Sequence, residues 1–350
     1  MRTSGLAALL ISLASLAPGA PPDFYKRISH VVWLLHTMDG PLHGWSSART
    51  LGGFALAAVL LAGFVIRERS TDEPMLDVRL FANPRFTAAS GSVTVAFFSL
   101  FGFIFLMTQY FQFVRAYSPL STGVHLLPVA ISVAIGSTLG TRLAVRLGTK
   151  AIVTAGLVLQ AGFYFWVASD LTPTLSYGLI AIQMVVFGLG MGLTSAPATE
   201  SIMGAVAPGQ AGVGSAVNDS TRLLGGTLGV AVIGSVYASL YAARLTAGLP
   251  AALPTALSDL ARQSVGAAFG VSGQLAAHGR GAIADAVHQT AVSAFDHGLS
   301  VGCVVAGAVA LAGALLAVAF LPAQPSPPPG SDHQLSGPTA PTTDEKDLVR

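Results

Sequence analysis

Apolar residues in this chain run together in long blocks, with the polar and charged residues gathered between them. Crossing roughly 30 Å of hydrocarbon at about 1.5 Å per residue takes about 20 mostly apolar residues. Seven segments meet or approach that length: residues 50–66, 87–111, 122–141, 151–169, 176–196, 214–239 and 299–321. The first is short and relies on its flanks. No acidic residue lies deep inside a segment; Asp219, near the start of the sixth, comes nearest. The alternation of a barrel strand is absent, and only a helix satisfies every backbone group within its own segment. The expectation is an all-α integral membrane protein with about seven full transmembrane helices and a partial one at the N-terminus.

Composition supports lipid as the main solvent. Only 10% of the 350 residues are charged and 52% are hydrophobic, with mean hydropathy +0.66; a soluble chain carries about a quarter charged residues. The 39 glycines suit close helix crossings in a bilayer, and Gly136/Gly140, Gly188/Gly192 and Gly225/Gly229 recur at the spacing that allows them. A net charge of +2 without a basic stripe makes nucleic acid an unsuitable partner and the lipid bilayer the expected one. The sole cysteine, Cys303, lies in an apolar run and reads as a small buried hydrophobe, which excludes an intrachain disulfide framework. No metal or cofactor is expected. Asp285/His288 and Asp296/His297 in the Ala-rich stretch 240–298 complete no ligand set, and the apolar pattern there fits a surface-lying helix.

Lys and Arg in the connections set orientation. Arg67, Arg69, Arg79 and Arg85 follow the first segment, Arg115 stands alone after the second, and Arg142, Arg146 and Lys150 follow the third. That alternation puts 67–86, 142–150, 197–213 and the C-terminus in the cytoplasm and 240–298 outside, in a multi-pass protein of the cell inner (plasma) membrane. Residues 322–350, rich in Pro, Ser and charge, read as a disordered cytoplasmic tail. Residues 1–49 form a separate N-terminal segment. Its apolar run after Arg2 imitates a secretory signal, and it also reads as the remnant of a cut span, which the downstream sequence favours.

Six stretches carry a family resemblance: GPLHGW (40–45), PMLDVRLFANPRF (74–86), TQYFQ (108–112), YSPLSTGVHLLP (117–128), GLGMGLTSAPATESIMGAV (188–206) and GVGSAVNDSTRLLGGTLGVAVIGS (212–235). In this order, each at a span boundary, they resemble the fourteen-span drug:proton antiporter branch of the major facilitator superfamily, the EmrB/QacA subfamily. The resemblance implies the C-terminal half of such a helical bundle, its eighth to fourteenth spans. A truncated or frameshifted gene would account for a missing N-terminal half. The implied activity is efflux of small lipophilic or cationic substrates against protons. The competing reading is a non-transporting membrane fragment, or a subunit that needs a separate N-terminal half. A membrane enzyme is not expected, because no nucleophile, metal or paired-carboxylate constellation shares one membrane depth.

Proton exchange needs a carboxylate or histidine whose ionisation is set by burial. Between Val78 and Thr199 the only acid is Asp170, at an outer loop, so coupling is not assigned to the core of this half. Asn218, Asp219 and Arg222 are the best gate candidates; a spacing of three puts Asp219 and Arg222 on one helical face, where they could pair, as a gate or as a simple helix-start ion pair. Glu200 and His125 are further candidates, each equally explained as an interfacial residue. Gln109 and Gln112, which the resemblance places near the translocation path, together with Gln160 and Gln183, are amides suited to a substrate path or to bonds between helices. Arg142, Arg146 and Lys150 recur every four residues, as on one helical face toward anionic headgroups, and resemble a degenerate copy of the superfamily's basic loop motif, which implies a conformational latch.

Overall fold

The computed structural model describes residues 78–170, 175–206 and 211–321, together with Gly209 and scattered positions between 52 and 70. The expected segment 1–49, most of the expected span 50–66, and the tail 322–350 lie outside the described residues. The described elements are a short 3-10 turn (Val78–Ala82) and the helices α1 (Pro84–Gln109), α2 (Pro119–His125), α3 (Leu127–Leu147), α4 (Thr149–Asp170), α5 (Tyr177–Met203), α6 (Ala211–Gly248), α7 (Thr255–Gln263), α8 (Val265–Ala277) and α9 (Gly281–Phe320). Among the described residues, six stretches are long and apolar enough to span a bilayer: α1 with its extension, α2–α3, α4, α5, α6 and α9. The chain is an all-α, multi-pass membrane protein.

Local chemistry sets most helix boundaries. Asn83 accepts from the Arg85 amide ahead of Pro84, Ser118 from Ser121 ahead of Pro119, and Ser176 from Leu179, so each helix begins on a polar cap, twice with proline in the first turn. Gly148, at φ 89°, ends α3, a conformation that side chains rarely adopt. This break corrects the expected single face for Arg142, Arg146 and Lys150: the two arginines end α3, exposed, while Lys150 opens α4. The third span is interrupted at Leu126, two residues before Pro128, so His125 closes α2 rather than opening α3.

Two helices run farther than their apolar cores suggest. α6 continues past residue 239 to Gly248, and α9 starts at Gly281 rather than near 299. The stretch 240–298, expected as a loop, is therefore mostly helix, with α7 and α8 between the long helices. Tyr241 of α6 donates to the Ala261 carbonyl of α7 (3.2 Å), Ser272 of α8 donates to the Ala284 carbonyl of α9 (2.9 Å), and Thr290 of α9 donates to the Gly248 carbonyl (3.2 Å). These bonds fasten the α7–α8 cap to the bundle.

Glycines govern how closely the spans cross. A methyl group built on Gly136 of α3 would come within 2.7 Å of the Leu189 carbonyl oxygen of α5, and one on Gly188 equally near the Val129 carbonyl oxygen. At Gly225 and Gly229 of α6 the added carbon would collide with the Thr94 and Phe98 carbonyls of α1. Beside these crossings, Phe103, Phe163 and Phe187 from α1, α4 and α5 form the aromatic centre, with centroids 4.7–5.6 Å apart. Replacing Gly229 with leucine should lower stability by about 1–3 kcal/mol through overpacking against backbone, read as a fall in the thermal unfolding midpoint in detergent. Gly162→Ala, where the new carbon meets nothing within 4 Å, should leave the midpoint unchanged.

Candidate functional site

A groove of about 830 Å³ lies between α1 and α6, bordered at one end by α7. Residues 105, 108, 109 and 112 follow helical spacing, so α1 presents Phe105, Thr108, Gln109 and Gln112 along one strip. Beyond Gln109 the helix widens into a π turn, Tyr110–Val114, closed by the Arg115 amide on the Tyr110 carbonyl (3.0 Å), which carries the strip on to Phe113. α6 supplies Gly234, Ser235, Tyr237 and Tyr241, and α7 and its cap supply Arg262, Gln263 and Ser264. The crossing at Gly225 and Gly229 lies toward the other end, so the helices touch there and diverge where the large rings begin.

The four amides expected on a substrate path divide into two pairs. Gln109 and Gln112 are half-buried and line the groove. Gln160 and Gln183 are fully buried between helices. Gln160 donates to Thr194 of α5 (3.3 Å), and Gln183 sits against a small internal cavity beside Phe103, Tyr110 and Phe163 with its amide nitrogen unpartnered among the described residues. These two act inside the bundle and do not reach the groove.

At the opposite end, the expected Asp219–Arg222 pair does not form. Asp219 is exposed, whereas Arg222 turns inward, donates to the Thr199 hydroxyl (3.2 Å) and lies over the Phe97 ring at 5.2 Å. Thr199 in turn donates to the Asn218 side-chain carbonyl (3.1 Å). The ring face and the hydroxyl hold the guanidinium where a spacing rule points it at the carboxylate. One hydroxyl thus joins α5 to two positions of α6, and sequence reasoning did not single it out. Glu200, the next residue, is exposed. On the same end, the Arg85 Nε donates to Ser201 (3.2 Å), linking α1 to α5.

His125 lies at the α7 end of the bundle, between the rings of Tyr117 (4.5 Å) and Tyr177 (4.6 Å). Its Nδ1 is 2.7 Å from the Ser121 carbonyl, and Tyr177 donates to the His125 carbonyl (3.2 Å). It does not line the groove. Nearby, Arg115 donates to the Tyr110 hydroxyl (3.1 Å) and the Leu175 carbonyl, tying the α1–α2 connection to the start of α5. The contributions of Tyr237, Tyr241 and Gln263 to the groove were missed by sequence reasoning, because their spacing alone does not say which helix they meet.

The family model described as Major Facilitator Superfamily matches residues 31–230. The chain is 36% identical over 200 residues to the multidrug resistance protein Stp of Mycobacterium tuberculosis, covering 57% of this chain and 37% of that protein. Over 341 residues it is 30% identical to the tetracenomycin C resistance and export protein of Streptomyces glaucescens, covering 92% of this chain and 62% of the relative. It is also 30% identical over 291 residues to the multidrug efflux pump LfrA of Mycolicibacterium smegmatis, covering 83% and 56%. The chain thus spans less than two thirds of the length of each of these curated relatives.

Thr199→Val should destabilise the bundle by about 1–3 kcal/mol, because it strands the Arg222 and Asn218 side chains. In a double-mutant cycle with Asn218→Ala, measured by denaturant unfolding in micelles, the two effects should be less than additive. Strict additivity would mean that the hydroxyl does not connect them.

Proposed function

The chain belongs to the Major Facilitator Superfamily, and from that premise we propose that it serves in the efflux of small lipophilic compounds across the plasma membrane. The bundle then corresponds to the C-terminal half of a fourteen-span drug:proton antiporter of the EmrB/QacA type. The observation that carries this reading is the α1–α6 groove: aromatic walls for an apolar ligand, and amides and hydroxyls at helical spacing to orient it. Names of relatives that export or confer resistance to antibiotics support it. Superfamily membership sets a catalytic role aside.

Proton exchange is part of the proposal, with the coupling group outside the core of this bundle. Asp170, the sole acid between Val78 and Thr199, is engaged by the Trp166 indole (2.6 Å) at the end of α4. Asp219 and Glu200, exposed at the other end, are better placed to meet a facing bundle than to carry a buried proton. We assign that end to the cytoplasm, since Arg85, Arg142, Arg146 and Lys150 gather there. In the same proposal, Asn218, Thr199 and Arg222 hold the cytoplasmic ends of α5 and α6 together as a gate, and the basic pair Arg142 and Arg146 engages headgroups or a facing half.

The second reading, a membrane subunit that acts only with a separate N-terminal bundle, is favoured by one specific observation. Of the spans, α2–α3 and α6, which forms one wall of the groove, are the least buried. Expressed in an efflux-deficient host together with the N-terminal spans of a relative, the full chain should raise antibiotic tolerance several-fold, and Gln109→Leu should remove most of the gain. Tolerance obtained with the chain alone would reject the subunit reading; no gain in either arrangement would reject efflux.

A further inference from the structure

The groove has an electrostatic signature that its walls alone do not explain. Of its lining residues only Arg262 is charged, and no carboxylate is among them. Every other polar group there is neutral: Thr108, Gln109, Gln112, Ser235, Gln263, Ser264 and the phenols of Tyr237 and Tyr241. Tyr237 itself is only 4% exposed, so it contributes wall rather than an open hydroxyl.

Resting on the efflux reading of this groove, we propose that it selects ligands by charge, taking neutral or anionic aromatic compounds with hydrogen-bond acceptors and rejecting permanent cations. Arg262, from the α7 cap, sets the preference, and the amides of Gln109, Gln112 and Gln263 orient the ligand. A cation in this groove meets a like charge at the mouth and no carboxylate on the walls. The ring faces of Phe105, Phe113 and Tyr241 attract cations only weakly where water still enters, and they stack on any planar ligand alike. An acceptor oxygen, by contrast, finds the guanidinium and the amide hydrogens. Asp259 does not cancel the guanidinium: it sits one turn back on α7, 3.7 Å away and 63% exposed, and it does not line the groove. Exposed pairs of this kind are heavily screened. This assignment narrows the lipophilic or cationic class expected from the sequence to its neutral and anionic members.

Arg262 lies on the half-exposed face of a short surface helix, so its replacement leaves the spans intact. The test uses the full chain in phosphatidylcholine nanodiscs and two xanthene dyes of similar shape, fluorescein as the anion and rhodamine 123 as the cation, followed by fluorescence anisotropy. Fluorescein should bind about tenfold or more tightly than rhodamine 123. Arg262→Glu, and independently Gln263→Glu, should erase or invert that ratio. Equal or tighter binding of rhodamine 123 to the unaltered chain, or a ratio that neither acidic variant moves, overturns the charge assignment and leaves efflux standing. Binding of neither dye overturns the groove as a ligand site, and with it the observation on which the efflux reading rests.

Discussion

Backbone-to-backbone contact at glycine is the constraint from which the rest of this bundle follows. In lipid, helices gain little from hydrophobic burial against one another, so close packing and interhelical hydrogen bonds must hold them. Gly136 and Gly140 of α3 against Gly188 and Gly192 of α5, and Gly225 and Gly229 of α6 against Thr94 and Phe98 of α1, leave no room for a side chain. The second crossing also has a geometric consequence. It pins α1 and α6 away from the α7 cap, and just beyond it come Phe105, Tyr237 and Tyr241, too large for the same approach. The helices separate over those rings and open the groove. The close crossing and the cavity are two ends of one packing arrangement.

Polar residues then sort by whether packing gives them a partner. Gln160 reaches Thr194, Tyr164 reaches the Ser99 carbonyl, and Ser300 reaches the Ala168 carbonyl, each a bond between two spans. Thr199 joins Asn218 to Arg222 at the end of the bundle away from the α7 cap. Gln109 and Gln112 have no such bond among the described residues and line the groove. A bundle that binds helices with some amides and leaves others over a cavity separates scaffold from ligand surface with no carboxylate, histidine, lysine or arginine among its described buried residues.

Much of this was legible in the sequence, for a physical reason. Spans were readable because hydrocarbon demands long apolar runs, and the small-residue crossings because they need glycine every fourth position. Gln109 and Gln112 were readable as substrate-path candidates through the family resemblance, with bonds between helices as the alternative. What escaped depends on other helices. Nothing local separates Gln183, buried beside Phe103, from Gln109, open to the groove; only the neighbours differ. The pairing of Asp219 with Arg222 followed from spacing on one helix, but the Thr199 hydroxyl and the Phe97 ring on neighbouring helices outcompeted it. The single face expected for Arg142, Arg146 and Lys150 failed at Gly148, where a positive φ ends the helix. The arrival of Arg262 and Gln263 at the groove depends on how α7 folds back, which the Tyr241–Ala261 bond fixes.

The central claim is that the surface between α1 and α6 is accessible while the interior amides belong to the scaffold. Cysteine reactivity tests it most directly: with buried Cys303 replaced by serine, single cysteines at Ser235, Gln112 and Gln183 are exposed to a water-soluble maleimide in the membrane-embedded full chain. Rapid labelling of Ser235→Cys and Gln112→Cys, with Gln183→Cys unreactive until the protein is unfolded, is the predicted result. Labelling of Gln183→Cys as fast as Ser235→Cys would contradict the account.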